Sequence, residues 1–310
     1  MTYAPLSDTD PPVFRLSCFH FQLRLTEATE FPIYKGSSFH GAFGHALARV
    51  GAHFRDYFYN PTPPLHWADA QQAPPRPYVL IPPLDDKTHY AAGDTLDLGV
   101  ILYGAAIDYF LIVFAALEHL GELMGLGKRR GHFIIDCVQQ LNAQGYSTIY
   151  QNRQWSGPTR AMQADHFFTD TPQTQARIRL NHSTRLRLKA DNRLLQTAPP
   201  FNLLINRLFA RINALSTLYC DGIAIVPEHK QHLLNLAETV QIERSTLHWS
   251  DWQRHSQRSH TDMPFGGLLG ETIYQGELTP FIPWLSLGQW VGLGGKTSFG
   301  LGLYQLELLQ

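Results

Sequence analysis

The chain has little that would support a metal site, a disulfide framework or a redox cofactor. Its few cysteines are far apart in the sequence, at Cys18, Cys137 and Cys220. They show neither a zinc-ligand spacing nor the even number expected of a secreted, disulfide-bonded domain. No HExxH motif or carboxylate cluster accompanies the fifteen histidines, so no metal and no other cofactor is expected. A reducing cytosol is the expected compartment, and the location is predicted to be cytoplasmic.

The sequence also lacks a strong net charge and a long uninterrupted apolar run. A formal charge of −1 excludes a globally basic protein, so any site for a polyanion must be a local patch. The longest apolar segment, residues 105–124, contains three acidic residues and is predicted to be a buried core helix, not a membrane span. The first residues carry acids and prolines, so no signal peptide is expected.

What the sequence does have is a glycine-rich loop, residues 292–304, with five glycines. Glycine permits unusual backbone conformations and close approach of a ligand, while a lysine, hydroxyls and exposed N–H groups suit a phosphate. A nucleotide-binding P-loop is excluded because Trp290 stands where that motif needs glycine, and no long helix follows. The alternative is a plain turn. The residues predicted to contact a phosphate backbone are Gly294, Gly295, Lys296, Thr297 and Ser298.

Hydrophobic periodicity predicts the same order of elements in both halves of the chain: strand, helix, strands, helix, strand. In the first half the helices are expected near 39–50 and 105–124, and in the second near 203–218 and 281–290. This is the βαββαβ order of a ferredoxin-like unit. The sequence therefore predicts an α+β chain of two tandem ferredoxin-like (RRM-like) domains, residues 1–160 and 161–310, joined near 155–175.

Several sequence blocks follow one another along most of the chain. They are YKGSSFHGAFGH at 34–45, YVLIPP at 78–83, GAAIDY at 104–109, GLGKRRGHF at 125–133, WQRHSQR at 252–258, GGLLGETIYQG at 266–276 and the glycine-rich loop. This ordered set resembles the CRISPR repeat-processing endoribonucleases of the RAMP superfamily. Many relatives carry cysteines in the segment that corresponds to residues 53–59, and this chain has none there.

The resemblance implies a protein that binds CRISPR repeat RNA, cuts the precursor once per repeat and keeps the mature guide RNA (crRNA). In that family the reaction needs no metal. The ribose 2′-hydroxyl attacks the adjacent phosphorus and leaves a 2′,3′-cyclic phosphate and a 5′-hydroxyl. Other subunits of a CRISPR effector complex are further candidate partners, and no membrane partner is expected.

Transesterification needs a general base and a general acid, and histidine suits both roles near neutral pH. His40 is the first candidate, since it follows the candidate helix caps Ser37 and Ser38, and a helix N-terminus attracts phosphate and favours neutral imidazole. The family commonly places its catalytic histidine in this region. His45 lies about 140° further around the helix and is a second candidate. Tyr34 could orient the 2′-hydroxyl or assist the base.

The alternative for His40 is a half-buried histidine at the edge of the core, and the alternative for Tyr34 is a packed aromatic residue. His45 could equally be a solvated surface residue. None of these alternatives is excluded by the sequence.

Cationic residues cluster locally, and a basic patch spans residues 177–211. If 177–188 is a strand, its four arginines occupy odd positions and share one face, which favours RNA docking. The alternative is a sheet face balanced by acids from elsewhere. Lys35 precedes the first helix and could offset charge on the phosphorane. Besides the loop, the residues predicted to contact RNA are Lys35, Lys128, Arg129, Arg130, Arg177, Arg179, Arg185, Arg187, Lys189, Arg254 and Arg258.

Two other functions share these features. A non-catalytic RAMP subunit that binds guide RNA would have the same fold, basic patch and loop, and would lack a competent acid–base pair. A ferredoxin-like enzyme that binds a small nucleotide would bind mononucleotide in place of RNA.

Overall fold

A computed structural model gives the structure of residues 13–62, 73–157, 161–168, 174–256 and 261–310, with the backbone alone at 253–256 and 261–264. Helices and antiparallel strands are mixed, and each half of the chain has one main sheet. The elements of the first half are β1 (Arg15–Leu25), β2 (Thr29–Glu30), α1 (Gly36–Val50), α2 (Ala52–Tyr59), β3 (Tyr78–Ile81), β4 (His89–Tyr90), β5 (Thr95–Tyr103), α3 (Phe110–His119), β6 (Phe133–Asn142), β7 (Gly145–Gln151), β8 (Gln154–Trp155), β9 (Met162–Gln163) and α4 (Asp165–Phe168).

The second half contains a second sheet and the longest helix that the structure describes. Its elements are β10 (Arg177–Leu186), β11 (Lys189–Ala190), β12 (Arg193–Leu194), α5 (Phe201–Tyr219), α6 (Pro227–Ala237), β13 (Gln241–Ser245), β14 (His248–Ser250), β15 (Gln253–Ser256), β16 (Thr261–Pro264), β17 (Gly267–Gln275), α7 (Ile282–Val291) and β18 (Gln305–Leu309).

The two main sheets have the same strand arrangement. In the first the order is β3-β5-β1-β6, extended by β7 and β8, and in the second it is β13-β17-β10-β18. In each unit the strand that comes first in the chain is central: β1 lies between β5 and β6, and β10 lies between β17 and β18. These pairings are all antiparallel. The prediction of tandem ferredoxin-like domains is therefore confirmed. The boundary at residue 160 stays a prediction.

The first part of β1 is buried on both faces because the strand alternates two sets of apolar residues. Phe21 and Leu23 point toward the first-half helices and share a core with Phe39 of α1. On the opposite face, Leu16 and Cys18 belong to the core that α5 of the second half also fills. Successive side chains of a strand point to opposite faces, so one strand joins the two domains through a shared core.

The predicted helix at 105–124 is present in three pieces. A 3₁₀ turn over Gly104–Tyr109 leads into α3, and a π-helical turn over Leu120–Met124 follows. Within the described ranges, this segment is the helix that is long and apolar enough to cross a membrane. Half of its apolar window is buried in the fold, and Phe110 stacks on Phe19 of β1 at 4.0 Å between ring centroids. It therefore packs as a core helix of the first domain.

Burial of His182 on β10 makes stability depend on pH. Its side chain is 2% exposed, Nδ1 has no hydrogen-bond partner in the described structure, and burial lowers the pKa to about 4. An unfolded histidine binds its proton below about pH 6.5. Between those values the unfolded state holds more protons, so stability falls as the pH falls, by about 3 kcal/mol over the whole window.

We expect the free energy of unfolding in urea to decrease between pH 7 and pH 4.5, and His182→Leu to remove most of that part of the decrease. His45, which is exposed, provides the matched control, and His45→Leu should leave the slope unchanged. An identical pH slope in wild type and His182→Leu would contradict the assignment.

Candidate active site

His40 lies where the first helix of one domain meets the glycine-rich loop of the other. Helix α1 begins at Gly36, and Lys35 is its N-cap with no side-chain capping bond. The predicted caps Ser37 and Ser38 therefore lie inside the helix, and His40 is the fifth helical residue, not part of an exposed N-terminus. Its side chain is 5% exposed and is directed at the loop.

The imidazole is held by an aromatic ring and by two polar groups. It stacks on Phe299 of the loop, with 3.6 Å between centroids and 13° between planes. Nε2 lies 3.0 Å from Nη1 of Arg76 and 3.4 Å from Oγ of Ser298. A guanidinium only donates hydrogen bonds, so Nε2 is the acceptor and the ring is the neutral tautomer with its proton on Nδ1. This is the form that a general base requires, with the lone pair engaged by Arg76.

Arg76 is the site residue that sequence reasoning missed. Its guanidinium donates from Nη1 to Ser298 Oγ at 3.0 Å and from Nε to the carbonyl of Tyr59 at 3.1 Å, and it lies over the Tyr59 ring at 5.1 Å. The arginine stands in a proline-rich stretch without periodicity. A single cation in such a stretch gives no signal that could have singled it out.

The backbone around Arg76 is fixed from both domains. The hydroxyl of Tyr219, at the end of α5, donates to the carbonyl of Pro75 at 2.8 Å. The amide of Tyr103, at the end of β5, donates to the carbonyl of Pro77 at 3.0 Å. Arg76 is therefore placed by hydrogen bonds on either side of it in the chain.

The loop itself is turned inward more than the sequence predicts. Thr297 and Ser298 are each 6% exposed, and Ser298 contacts Arg76. The amide of Gly295 donates to the carbonyl of Arg187 at 2.9 Å, and Gly294 has a φ of +84° and packs so closely there that a Cβ would lie 2.5 Å from that oxygen. The Ser298 hydroxyl and the Gly295 amide are therefore engaged within the protein, and the Thr297 side chain is buried.

Lys296 is the loop residue that extends into solvent. It adopts a left-handed conformation with φ 64° and is exposed. Its ammonium lies 5.6 Å from the ring centroid of Phe265 and 5.9 Å from that of Phe299. Of the predicted loop contacts, its side chain is the one placed to reach a phosphate.

Tyr34 is placed to hold the loop rather than to move protons. Its hydroxyl donates to the carbonyl of Phe299 at 2.7 Å, and burial raises its pKa far above the usual range of tyrosine. A deprotonated Tyr34 is therefore not available as a base near neutral pH. Gly36 lies beside it, where a Cβ would be 2.2 Å from the same carbonyl oxygen.

Two predicted residues near the helix do not fit their predicted roles. Lys35 is fully buried, and its ammonium donates to the carbonyl of Asp85 at 2.6 Å and lies 3.2 Å from the carboxylate of the same residue. It is not accessible to RNA, which corrects that prediction. His45 is exposed on α1, on a part of the helix that does not face the loop.

The arginines of β10 and the residue after it divide into two pairs. Arg177 forms an ion pair with Glu243 at 2.7 Å, and Arg179 forms one with Glu307 at 2.6 Å. For these two, the alternative of a sheet face balanced by acids describes the structure, which corrects their assignment to a free RNA-binding row. Arg185 and Arg187 lie at the other end, toward the glycine-rich loop.

Arg185 and Arg187 are half-buried beside aromatic residues and carbonyls. The Arg185 guanidinium lies 5.8 Å from the Tyr34 ring and 5.9 Å from the Trp252 ring. Arg187 donates to the carbonyl of Gly266. Burial lowers the pKa of both, yet arginine stays charged at neutral pH. These two therefore contribute positive charge next to the loop.

The remaining predicted RNA contacts are at other positions on the surface. Arg129 and Lys128 lie 2.7 Å and 3.8 Å from Glu30, and Arg130 and Lys189 are exposed. For Arg254 the structure gives only the backbone, in β15, and Arg258 lies outside the described residues. No group of three or more potential metal ligands occurs in the described part of the chain.

Two family models match the chain, one in each half. Residues 14–165 match a family model described as an N-terminal domain, and residues 178–304 match the model of the CRISPR-associated endoribonuclease Cas6. The second half of the chain is therefore similar to the Cas6 endoribonucleases. No curated protein is matched by its sequence.

Solved Cas6 structures share the fold at low sequence identity. A partial Cas6-RT-Cas1–Cas2 complex has a TM-score of 0.65 and 17% identity over 96% of this chain, which spans 47% of that longer protein. A Cas6 product complex has a TM-score of 0.62 and 16% identity, covering 94% of this chain and 100% of the other. Cas6 of Thermus thermophilus gives a TM-score of 0.58 and 16% identity, covering 95% and 99%.

Tyr34→Phe tests whether the hydroxyl of Tyr34 holds the loop. The variant leaves the buried carbonyl of Phe299 without its donor, which costs about 1–3 kcal/mol. We expect a matching loss of stability in urea and faster hydrogen exchange of the Gly300 amide, which donates to Thr297 within the loop.

Tyr146→Phe is the matched control for this change. Tyr146 is 51% exposed, and its hydroxyl has a 3.9 Å contact with the sulfur of Cys18. This variant should change neither measurement. Unchanged stability and exchange in Tyr34→Phe would contradict the role given to its hydroxyl.

Proposed function

We propose that this chain is a metal-independent endoribonuclease that cuts CRISPR precursor RNA within its repeats and retains the mature guide RNA. The observation that carries this proposal is the position of His40. A neutral imidazole lies at the contact between the two domains, against the glycine-rich loop and within hydrogen-bond distance of a guanidinium. A general base next to a cation suits the cleavage of a phosphodiester by the adjacent ribose 2′-hydroxyl.

In the proposed reaction, Nε2 of His40 takes the proton of the 2′-hydroxyl as that oxygen attacks the adjacent phosphorus. The bond from phosphorus to the 5′-oxygen breaks, and the leaving oxygen takes up a proton from a second acid. The products are a 2′,3′-cyclic phosphate and a 5′-hydroxyl. Proton transfer by a positioned histidine contributes roughly 10²–10⁴-fold to the rate.

We assign the catalytic helix to the domain of residues 1–160 and most RNA contacts to the domain of residues 161–310. Lys296 and Arg185 are the contacts supported best: Lys296 is an exposed residue of the loop, and Arg185 lies next to the loop, beside the rings of Tyr34 and Trp252. The proposed partners are the CRISPR repeat RNA and its mature product. Other CRISPR proteins are proposed as well, because a solved structure of similar fold is a Cas6-RT-Cas1–Cas2 complex.

One observation favours the alternative of a non-catalytic RAMP subunit that binds guide RNA. The imidazole of His40 is 5% exposed, and Arg76 donates a hydrogen bond to its Nε2. A subunit that only binds RNA would keep this arrangement as a structural contact. Tight binding of the repeat without any cyclic phosphate product would decide for this alternative.

Incubation with the repeat RNA of its own genomic locus in the presence of a chelator tests the proposed function. Wild type should cut the RNA once per repeat and leave a cyclic phosphate end. His40→Ala should lower the cleavage rate by about 10²–10⁴-fold and change RNA affinity little, because the imidazole is buried. End mapping and gel-shift titration measure the two effects.

His45→Ala is the control, because this exposed histidine lies on the same helix. It should cleave at the wild-type rate. Full activity of His40→Ala would remove His40 from the mechanism, and cleavage that stops in chelator would contradict the metal-independent reaction.

RNA affinity tests the division of the arginines on β10. Arg185→Ala should weaken binding of the repeat by about tenfold. It should also reduce the slope of log affinity against log salt concentration by about one, as expected for one lost phosphate contact. Arg177→Ala is the matched control on the same strand. Since Glu243 already pairs with Arg177, its loss should change affinity less than twofold. Equal effects of the two variants would contradict the division.

A further inference from the structure

The imidazole proposed as the base is engaged by neighbouring side chains on its lone pair and on one face. Nε2 of His40 accepts a hydrogen bond from Arg76 at 3.0 Å, and one face of the ring is covered by Phe299 at 3.6 Å. A 2′-hydroxyl can therefore reach Nε2 only after Arg76 has moved. The proposed chemistry requires something that draws this guanidinium away.

Arg76 has the exposure and the free donor for such a movement. Its backbone is fixed by bonds to the carbonyls of Pro75 and Pro77, while its side chain is only partly buried. Nε and Nη1 have partners, and Nη2 has no hydrogen bond with the described part of the chain. The guanidinium can turn about a fixed backbone without unfolding a neighbouring element.

The three acceptors that hold Arg76 are all neutral: the imidazole of His40, the hydroxyl of Ser298 and the carbonyl of Tyr59. Each of these bonds has only one charged partner, whereas a phosphodiester carries a full negative charge and can accept two parallel N–H groups from the guanidinium. A phosphodiester at this position would therefore compete successfully for the guanidinium.

We propose that Arg76 binds the scissile phosphate and that this binding frees Nε2 of His40 for the 2′-hydroxyl. The inference rests on the function proposed above and adds a catalytic residue to it. Without RNA the guanidinium covers the base. With RNA it moves to a non-bridging phosphate oxygen, where its charge stabilises the phosphorane, and the base becomes available only when its substrate is in place.

Single-turnover cleavage of the repeat RNA tests this role. Arg76→Ala should lower the rate at saturating RNA by about 10²–10³-fold, the usual cost of losing one donor to a developing oxyanion. Arg76→Lys keeps the positive charge but cannot bind a phosphate through two parallel N–H groups. It should cleave about tenfold faster than Arg76→Ala. Arg55 of α2, which lies 4.0 Å from Asp56, is the matched control, and Arg55→Ala should cleave as wild type does.

The ¹⁵N resonance of His40 Nε2 gives a second measurement that does not depend on cleavage. Repeat RNA with a 2′-deoxyribose at the cut position binds without reacting, and in wild type it should shift this resonance as the bond from Arg76 is lost. In Arg76→Ala the free protein should already show the shifted resonance, and the RNA should change it little. Thermal melting establishes that each variant is folded.

The outcomes separate this inference from the proposed function. Wild-type cleavage together with an equally fast Arg76→Ala variant would overturn the role of Arg76 and leave the endoribonuclease in place. If wild type does not cleave the RNA, the proposed function fails. The role of Arg76 is then decided by the ¹⁵N resonance of His40 Nε2 alone. A shift on adding deoxy-substituted RNA to wild type supports phosphate binding by Arg76, and no shift overturns it.

Discussion

The close contact between the glycine-rich loop and helix α1 is the constraint on which the rest of the site depends. The carbonyl of Phe299 accepts a hydrogen bond from the hydroxyl of Tyr34 at 2.7 Å. Residue 36 must be a glycine there, because a Cβ would lie 2.2 Å from the same carbonyl oxygen. Because the loop belongs to the second domain and the helix to the first, this contact fixes one domain on the other. It also brings the Phe299 ring onto His40.

The loop is held equally firmly at its start, where helix α7 ends. Arg211 of α5 donates to the carbonyl of Val291 at 2.9 Å, and the hydroxyl of Tyr103 donates to that of Trp290 at 2.8 Å. The last carbonyls of a helix have no partner within it and carry partial negative charge, so a guanidinium is well suited to this position. The site is thus built on two anchored ends, with Lys296 extending from the middle into solvent.

The sequence predicted the fold well because its signals are local. The alternation in β1, the apolar stripe of α1 and the repeated element order specify a ferredoxin-like unit twice. The details that failed depend on distant contacts. Ser37 and Ser38 have the chemistry of helix caps, but α1 begins three residues before the predicted start at 39, at Gly36, where the chain packs against Phe299. No local pattern reveals that contact.

The same reason explains which site residues were found. His40 could be identified from the sequence block at 34–45. Arg76 could not, because its role comes from hydrogen bonds to His40 and Ser298, which are 36 and 222 positions away in the sequence. Lys35 has the composition of a phosphate contact, and only the position of Asp85 shows that its charge is used inside the fold. Strand parity correctly grouped the arginines of β10, but it could not reveal the glutamates of β13 and β18 that form ion pairs with Arg177 and Arg179.

Burial of the imidazole follows from how the two domains meet. A histidine at an open helix end would be accessible to any substrate and to water, whereas here Phe299, Tyr59 and Arg76 enclose it. Enclosure lowers the local dielectric constant, so a cation beside the ring acts more strongly than it would in water. The same enclosure holds Nε2 in a hydrogen bond from the Arg76 guanidinium, for which a phosphate can compete. The contact that shields the base is therefore also the one through which an RNA backbone would reach it.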